Sequence, residues 1–173
     1  MNTMRALSGA VVATALLSGC SMLGGGTENA AVGDTVEVPT SGAKTEGKVA
    51  VTLTSLEPAP AKVTKQFEGK PEVWFAEMTF DRDEAEPAEQ DWATPWLEVH
   101  GYLSDETVID ATFGGADMGS CTIGPDEQEK LTKDYAAGKK IEVCVPVSGD
   151  ESADFAGVHF GSVGSSSSAV WEK

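Results

Sequence analysis

Positive charge is scarce in this chain of 173 residues. Lysine and arginine number 12 against 28 aspartates and glutamates, so the formal net charge at neutral pH is −16. Proteins that bind nucleic acids through the phosphate backbone need clustered lysine and arginine, because these residues supply most of the affinity. We therefore expect no nucleic-acid partner.

Residues and motifs that carry catalysis are also few. The chain has two histidines, His100 and His159, and none of the patterns G-x-S-x-G, H-E-x-x-H, G-x-x-x-x-G-K-[ST] or G-x-G-x-x-G. These absences exclude the commonest motifs of serine hydrolases, zinc proteases and nucleotide-binding enzymes. Carboxylates are abundant, so the sequence alone leaves a paired-carboxylate hydrolase open. We predict no catalytic residue and a protein that is not an enzyme.

A mostly apolar stretch, Ala6–Leu17, lies near the N-terminus after the single positive charge of Arg5. As a helix with a rise of ~1.5 Å per residue, it is too short to cross a hydrocarbon core of ~30 Å. The small residues Ser18 and Gly19 follow it. This three-part order predicts a secretory signal peptide over residues 1–19.

The end of this segment, Leu17–Cys20, reads Leu-Ser-Gly-Cys. It resembles the bacterial lipobox, in which the cysteine is lipid-modified and becomes the mature N-terminus. We predict lipidation of Cys20 and attachment to the extracytoplasmic face of the cell membrane, since two or more acyl chains anchor a protein stably. The alternative is an ordinary signal peptide with an incidental cysteine.

Residues 20–47 are rich in Gly, Thr, Ala, Asn and Ser and include Gly24-Gly25-Gly26. This composition is typical of a flexible linker. We predict a lipid-anchored tether that reaches on the order of 30 Å. Within it, Val32–Val38 alternates like a short strand, so pairing of that segment with the domain edge is an alternative.

From Lys48 to Lys173, apolar residues recur with period two between turn residues, which is typical of half-buried antiparallel strands. About seven such strands indicate one domain over residues 48–173, built as a two-sheet sandwich. Helix formers in Pro125–Ala137 predict one or two helical turns, ended by Gly138. The predicted strand faces contain Val49, Val51, Leu53; Trp74, Ala76, Met78, Phe80; Leu97, Val99, Leu103; Val108, Ile109, Phe113; Ile141, Val143, Val145, Val147; Val158, Phe160; Val170 and Trp171.

Three short segments carry a resemblance to a known family. They are Gly33–Val36, Gly47–Leu53 and Ala137–Val143. Together they resemble the telokin-like, immunoprotective extracellular lipoprotein domains of Gram-positive bacteria, over roughly residues 31–173. The resemblance implies an all-β, immunoglobulin-like antiparallel sandwich in the cell envelope, and it implies no activity. The chain departs from the family at Asp81–Glu84, where such domains often have an Asn-containing turn.

Two cysteines remain once Cys20 is assigned to lipid. In an exported protein, an even pair predicts a disulfide, here between Cys121 and Cys144. Val143 and Val145 are predicted to face the core, so Cys144 should point away from it. The bond would then hold the Gly119–Ser120 loop against the outside of a sheet. A metal or redox role is the competing idea, but the chain has no C-x-x-C motif.

An acidic run follows the second predicted strand. Clustered carboxylates bind hard cations, so Ca²⁺ is one hypothesis. The EF-hand spacing fails, because Ala85 and Glu86 stand where a further ligand and a glycine belong. We favour the alternative of a solvated loop and expect no cofactor. The candidate metal ligands are Asp81, Asp83, Glu84 and Glu86.

Large aromatic and histidine side chains alternate with the predicted core residues of the third strand. If Leu97, Val99 and Leu103 face the core, the residues between them lie on the outer face of the sheet. Aromatic residues on such a face are typical anchors for partner proteins or sugars. The alternative is that the tether or the Cys121 loop covers these rings. The candidate partner-binding residues are Trp92, Trp96, His100 and Tyr102.

Together these observations predict a membrane-anchored extracytoplasmic lipoprotein that acts as a non-enzymatic interaction or accessory module of the cell envelope. The expected partners are the membrane, through the lipid, and an envelope protein or glycan. The alternative is a sensor or carrier lipoprotein that binds Ca²⁺ or a small ligand. A polar-lined cavity of several hundred Å³ would favour carriage, and a packed interior would favour interaction.

Overall fold

The computed structural model of the protein describes residues 26–41, 46–67, 72–82, 94–110, 116–149, 153–161 and 167–173. Within these ranges the chain forms nine strands and two α-helices, with 3₁₀ turns at Pro95–Glu98 and Gly119–Cys121. The helices are α1 (Ala61–Thr64) and α2 (Pro125–Ala136). The strands are β1 (Gly26–Ala30), β2 (Thr35–Ser41), β3 (Glu46–Pro58), β4 (Val73–Asp81), β5 (Val99–Leu103), β6 (Val108–Ile109), β7 (Ile141–Ser148), β8 (Phe155–Phe160) and β9 (Ser167–Glu172).

The strands form two sheets packed as a sandwich. One sheet has the order β2-β3-β4-β7, and the other has the order β1-β9-β8-β5-β6. All pairings are antiparallel except that of β1 with β9. In the lettering of immunoglobulin domains, β4 and β7 take the places of strands B and E, and β5, β8 and β9 those of C, F and G. The predicted all-β, two-sheet sandwich with one disulfide is therefore confirmed.

The core lies between the two sheets and contains most of the alternating residues that the sequence predicts. Val108 and Ile109 are only half-buried, and Phe113 lies outside the described residues. Val49, Val51 and Leu53 of β3 are fully buried. Ring contacts join the sheets: the centroids of Phe80 and Phe160 lie 5.6 Å apart, and Trp74 stacks on Phe155 at 5.2 Å. From β4 and β7 the core takes Trp74, Ala76, Met78, Phe80, Ile141, Val143, Val145 and Val147.

The first two strands correct the predicted tether over residues 26–41 and confirm the alternative that a strand within Val32–Val38 pairs with the domain. β2 pairs with β3 along its whole length, and its residues Val36 and Val38 are buried in the core. β1 pairs with β9. The predicted domain start at Lys48 falls inside β3. The domain therefore includes Gly26–Ser41, because backbone pairing with β3 and β9 recruits segments whose composition alone is typical of a linker.

Helix α2 is longer than the one or two turns expected from the sequence. It begins with Pro125 in its first turn, next to Asp126 and Glu127, which interact favourably with the helix dipole. It is held to the sandwich by Tyr135, which is fully buried. As predicted, Gly138 ends the helix: its φ is +72°, and its N–H donates to the Tyr135 carbonyl at 2.9 Å.

Both edges of the four-stranded sheet carry proline. Pro39 lies in β2 and Pro146 in β7. Proline lacks an N–H donor, so it hinders pairing of an edge strand with another chain. Among the described helices, none is long and apolar enough to cross a membrane.

Candidate functional site

The outer face of the five-stranded sheet carries both histidines of the chain, on two neighbouring strands. His100 of β5 lies directly opposite His159 of the neighbouring strand β8. Their ring centroids are 5.8 Å apart, and the ring planes are inclined by 42°. Although they are on the outer face, His100 is only 8% exposed and His159 6%. We call these two residues the histidine pair.

Strand alternation explains why both imidazoles face outward. Val99 and Leu103 of β5 point into the sandwich, so His100 between them points to the other side. On β8, Val158 and Phe160 are core residues, and His159 lies between them. Because residues directly opposite each other on antiparallel strands share a face, the register of β5 and β8 brings the two rings together.

Asp110 fixes the orientation of the His100 ring. Its Oδ1 lies 2.6 Å from His100 Nδ1. Since a carboxylate accepts the hydrogen bond, the proton is on Nδ1. The other ring nitrogen of His100, Nε2, is buried and has no hydrogen-bond partner within the described ranges. The Asp110 side chain is 76% exposed, so this end of the histidine pair borders solvent.

His159 is held in the neutral state. Burial chiefly, and the proximity of His100 to a lesser extent, lower its pKa to about 4. Its Nδ1 is buried and lacks a hydrogen-bond partner in the described part of the chain. A neutral imidazole has a lone pair on one nitrogen, so His159 can act as an acceptor or as a metal ligand.

Tyr102 lies on the same outer face and is half-buried. The pKa of its hydroxyl is raised, chiefly by desolvation and further by the carboxylates of Glu106 and Glu172. The carboxylates of Glu106 and Glu172 therefore add negative potential near Tyr102, on the face that carries the histidine pair.

The predicted partner-binding residues separate in the structure. His100 and Tyr102 do lie on the outer face, as predicted. Trp96, however, is only 4% exposed and belongs to the core, whereas Leu97 is 63% exposed. The prediction was wrong here because Pro95–Glu98 is a 3₁₀ turn, so the two-residue alternation starts only at Val99. Trp92 lies outside the described residues.

The candidate Ca²⁺ ligands are described only in part. Asp81 is exposed at the end of β4, and Asp83, Glu84 and Glu86 lie outside the described residues. Arg82, next to Asp81, is buried, with its guanidinium carbon 4.7 Å from the centre of the Tyr135 ring. Across the ranges that the structure describes, no group of three or more His, Cys, Asp or Glu side chains is placed to hold a metal ion.

The disulfide between Cys121 and Cys144 is present, with the two Cα atoms 4.9 Å apart. As parity predicted, Cys144 points away from the main core. It joins a second apolar cluster on the outside of the four-stranded sheet. The bond attaches the Gly119–Cys121 turn to β7. The cluster contains Ala59, Val63, Phe67, Val73, Phe75, Ala116, Met118, Cys121 and Cys144.

Comparison with known proteins identifies no relative. No family model matches the chain, and no curated protein or solved structure shows a significant match. The telokin-like resemblance is therefore still a prediction from short motifs, and the reading of the site depends on its own geometry.

The sequence carries no motif that assigns a role to His159 or Asp110, the two other members of the site. The neighbours of His159, Val158 and Phe160, indicate that it faces outward. Its position opposite His100 depends on the β5–β8 register, which local sequence does not reveal.

Proposed function

We propose that this protein is a lipid-anchored lipoprotein on the extracytoplasmic face of the cell membrane, where its sandwich domain acts as a non-enzymatic interaction or accessory module. The observation that carries this proposal is the Leu-Ser-Gly-Cys sequence ending at Cys20, directly after an apolar segment. The family resemblance points to the same setting.

The disulfide supports export. Structural disulfides persist in oxidising compartments and are rare in the cytosol, where thiols are kept reduced. Cys121 and Cys144 are bonded, and the bond lies in an apolar cluster with Cys121 only 3% exposed. This arrangement suits a structural crosslink in an exported domain better than a reactive thiol pair.

The packing of the domain favours interaction over carriage of a ligand inside the sandwich. The largest side chains between the sheets, among them Trp171, Phe80 and Phe160, are fully buried in one cluster, and the rings of Phe80 and Phe160 are in contact. A carrier would need an interior cavity lined by a few polar groups. Binding is therefore proposed at the surface, where Leu97 is a large apolar side chain exposed to solvent.

The lipid anchor is tested by changing Cys20 to Ala in the full-length chain. The wild-type protein should incorporate labelled palmitate and fractionate with membranes, because two or more acyl chains hold it there. The C20A protein should lose both properties. Ser21→Ala, one residue beyond the modified position, is the matched control and should behave as wild type. Palmitate labelling of C20A at the wild-type level would refute the anchor.

The interaction module is tested by photo-crosslinking in intact cells. A photoreactive residue at position 97 should give a discrete adduct of the anchored protein with one envelope component. The same residue at the exposed position 142, on the outer face of the four-stranded sheet, is the control and should give less of that adduct. Absence of any adduct from either position, with normal anchoring and expression, would argue against an interaction module.

A further inference from the structure

The two unpartnered imidazole nitrogens on the outer face of the five-stranded sheet point to a metal site. We propose that His100 and His159 together bind one late transition-metal ion, Zn²⁺ or Cu²⁺, with water completing the coordination shell. This site goes beyond the proposed interaction function and does not depend on it.

The separation of the rings fits two ligands on one ion. A metal–nitrogen bond is ~2.0–2.1 Å, and the centre of an imidazole ring lies ~1.1–1.2 Å behind the bonding nitrogen, so each ring centre is ~3.2 Å from the metal. Two rings at a tetrahedral angle then have centres ~5.2 Å apart, and opening the nitrogen–metal–nitrogen angle to ~130° increases this to ~5.8 Å. The observed separation of the ring centroids is 5.8 Å.

The donor atoms are available at these positions. Nε2 of His100 and Nδ1 of His159 are both buried and have no hydrogen-bond partner in the described chain. Leaving buried polar atoms unpaired is unfavourable, so a bound species is expected to satisfy them. Both residues are more than nine-tenths buried and lie on paired strands, so little side-chain freedom is lost when an ion binds.

Asp110 has the role of a positioning residue. It accepts the hydrogen bond from His100 Nδ1 and directs the Nε2 lone pair away from itself. Carboxylate–histidine–metal arrangements of this kind orient the ligand ring and increase its basicity.

The choice of ion follows from the chemistry of the donors. Imidazole suits Zn²⁺, Cu²⁺ and Ni²⁺, whereas Ca²⁺ and Mg²⁺ prefer oxygen ligands. The excess of carboxylates over lysine and arginine in the chain favours any cation without selecting among them. Selectivity for the late transition metals therefore distinguishes the histidine pair from the acidic surface of the chain.

The test titrates Zn²⁺ and Cu²⁺ into the purified protein, made without a histidine tag, with binding followed by calorimetry and thermal unfolding. One equivalent should bind and raise the unfolding temperature, and Ca²⁺ and Mg²⁺ should not reproduce this site. His159→Gln and His100→Gln should each weaken binding more than tenfold. Asp110→Asn should weaken it ~10–100-fold at unchanged stoichiometry.

Asp105→Asn removes one exposed carboxylate from the neighbouring turn and should leave binding unchanged. Equal binding by wild type and H159Q, or no one-to-one binding by wild type, would overturn the proposal and leave water as the partner of the two nitrogens. If the histidine variants fail to fold, electron paramagnetic resonance of Cu²⁺-loaded wild type decides: coupling to imidazole nitrogens supports the site, and oxygen-only ligation refutes it.

Discussion

At the scale of single residues, Gly101 shows how a position without a side chain sets the distance between the two sheets. A Cβ built at Gly101 would lie 2.2 Å from the backbone oxygen of Ser148 on β7. Gly101 points to the same side as Val99 and Leu103, so it faces the opposite sheet. The neighbour is backbone and cannot rotate away, and only glycine allows this approach.

Changing Gly101 to Ala should therefore destabilise the domain by roughly 1–3 kcal/mol, the range typical of overpacking. Chemical denaturation monitored by tryptophan fluorescence measures this change. Gly124→Ala is the matched control, because its new Cβ would meet no atom within 4 Å, and it should cost no more than about 1 kcal/mol through the helix N-cap. Equal stability of G101A and wild type would show that the two sheets can move apart at Gly101 without a loss in the free energy of unfolding.

At the scale of elements, the disulfide joins two segments that flank α2 along the chain. The Gly119–Cys121 turn precedes α2, and β7 follows it, so the bond closes the chain around the helix. The second apolar cluster covers the same face of the four-stranded sheet with α1. The bond and the cluster together hold the connection between β6 and β7 onto that face.

Replacing both cysteines, as Cys121→Ala with Cys144→Ala, should lower the free energy of unfolding by about 3 kcal/mol, because the unfolded chain loses a crosslink with a sequence separation of 23 residues. Urea unfolding with and without a thiol reductant measures the effect. The reductant should destabilise wild type by a similar amount and leave the double variant unchanged. If the reductant destabilised the double variant as much as it destabilises wild type, the loss of stability would have a cause other than this disulfide.

At the scale of the whole molecule, the sandwich places three groups of residues, which are interspersed along the chain, in three separate locations. Its interior holds large apolar side chains, its four-stranded outer face holds the disulfide cluster, and its five-stranded outer face holds the histidine pair. The proposed metal site therefore lies on a different face from the disulfide and competes with neither the core nor the crosslink.

Much of the fold could be predicted from local patterns. The inward residues of β3, β4 and β7 follow from alternation, because side chains of an extended strand point to opposite faces whatever its neighbours are. The outward position of Cys144 and the end of α2 at Gly138 follow for the same kind of local reason. The error at Trp96 arose where Pro95 begins a turn of different period, which alternation cannot describe.

The apolar side of most strands, the cysteine pair and the excess of carboxylates can be read from the chain, since composition and period are local properties. The parallel pairing of β1 with β9 and the position of His100 opposite His159 are known only from the folded molecule. Register and strand order depend on contacts between segments distant in sequence, and no local pattern encodes them. For that reason the two histidines can be found in the sequence, but their proximity follows only from the pairing of β5 with β8.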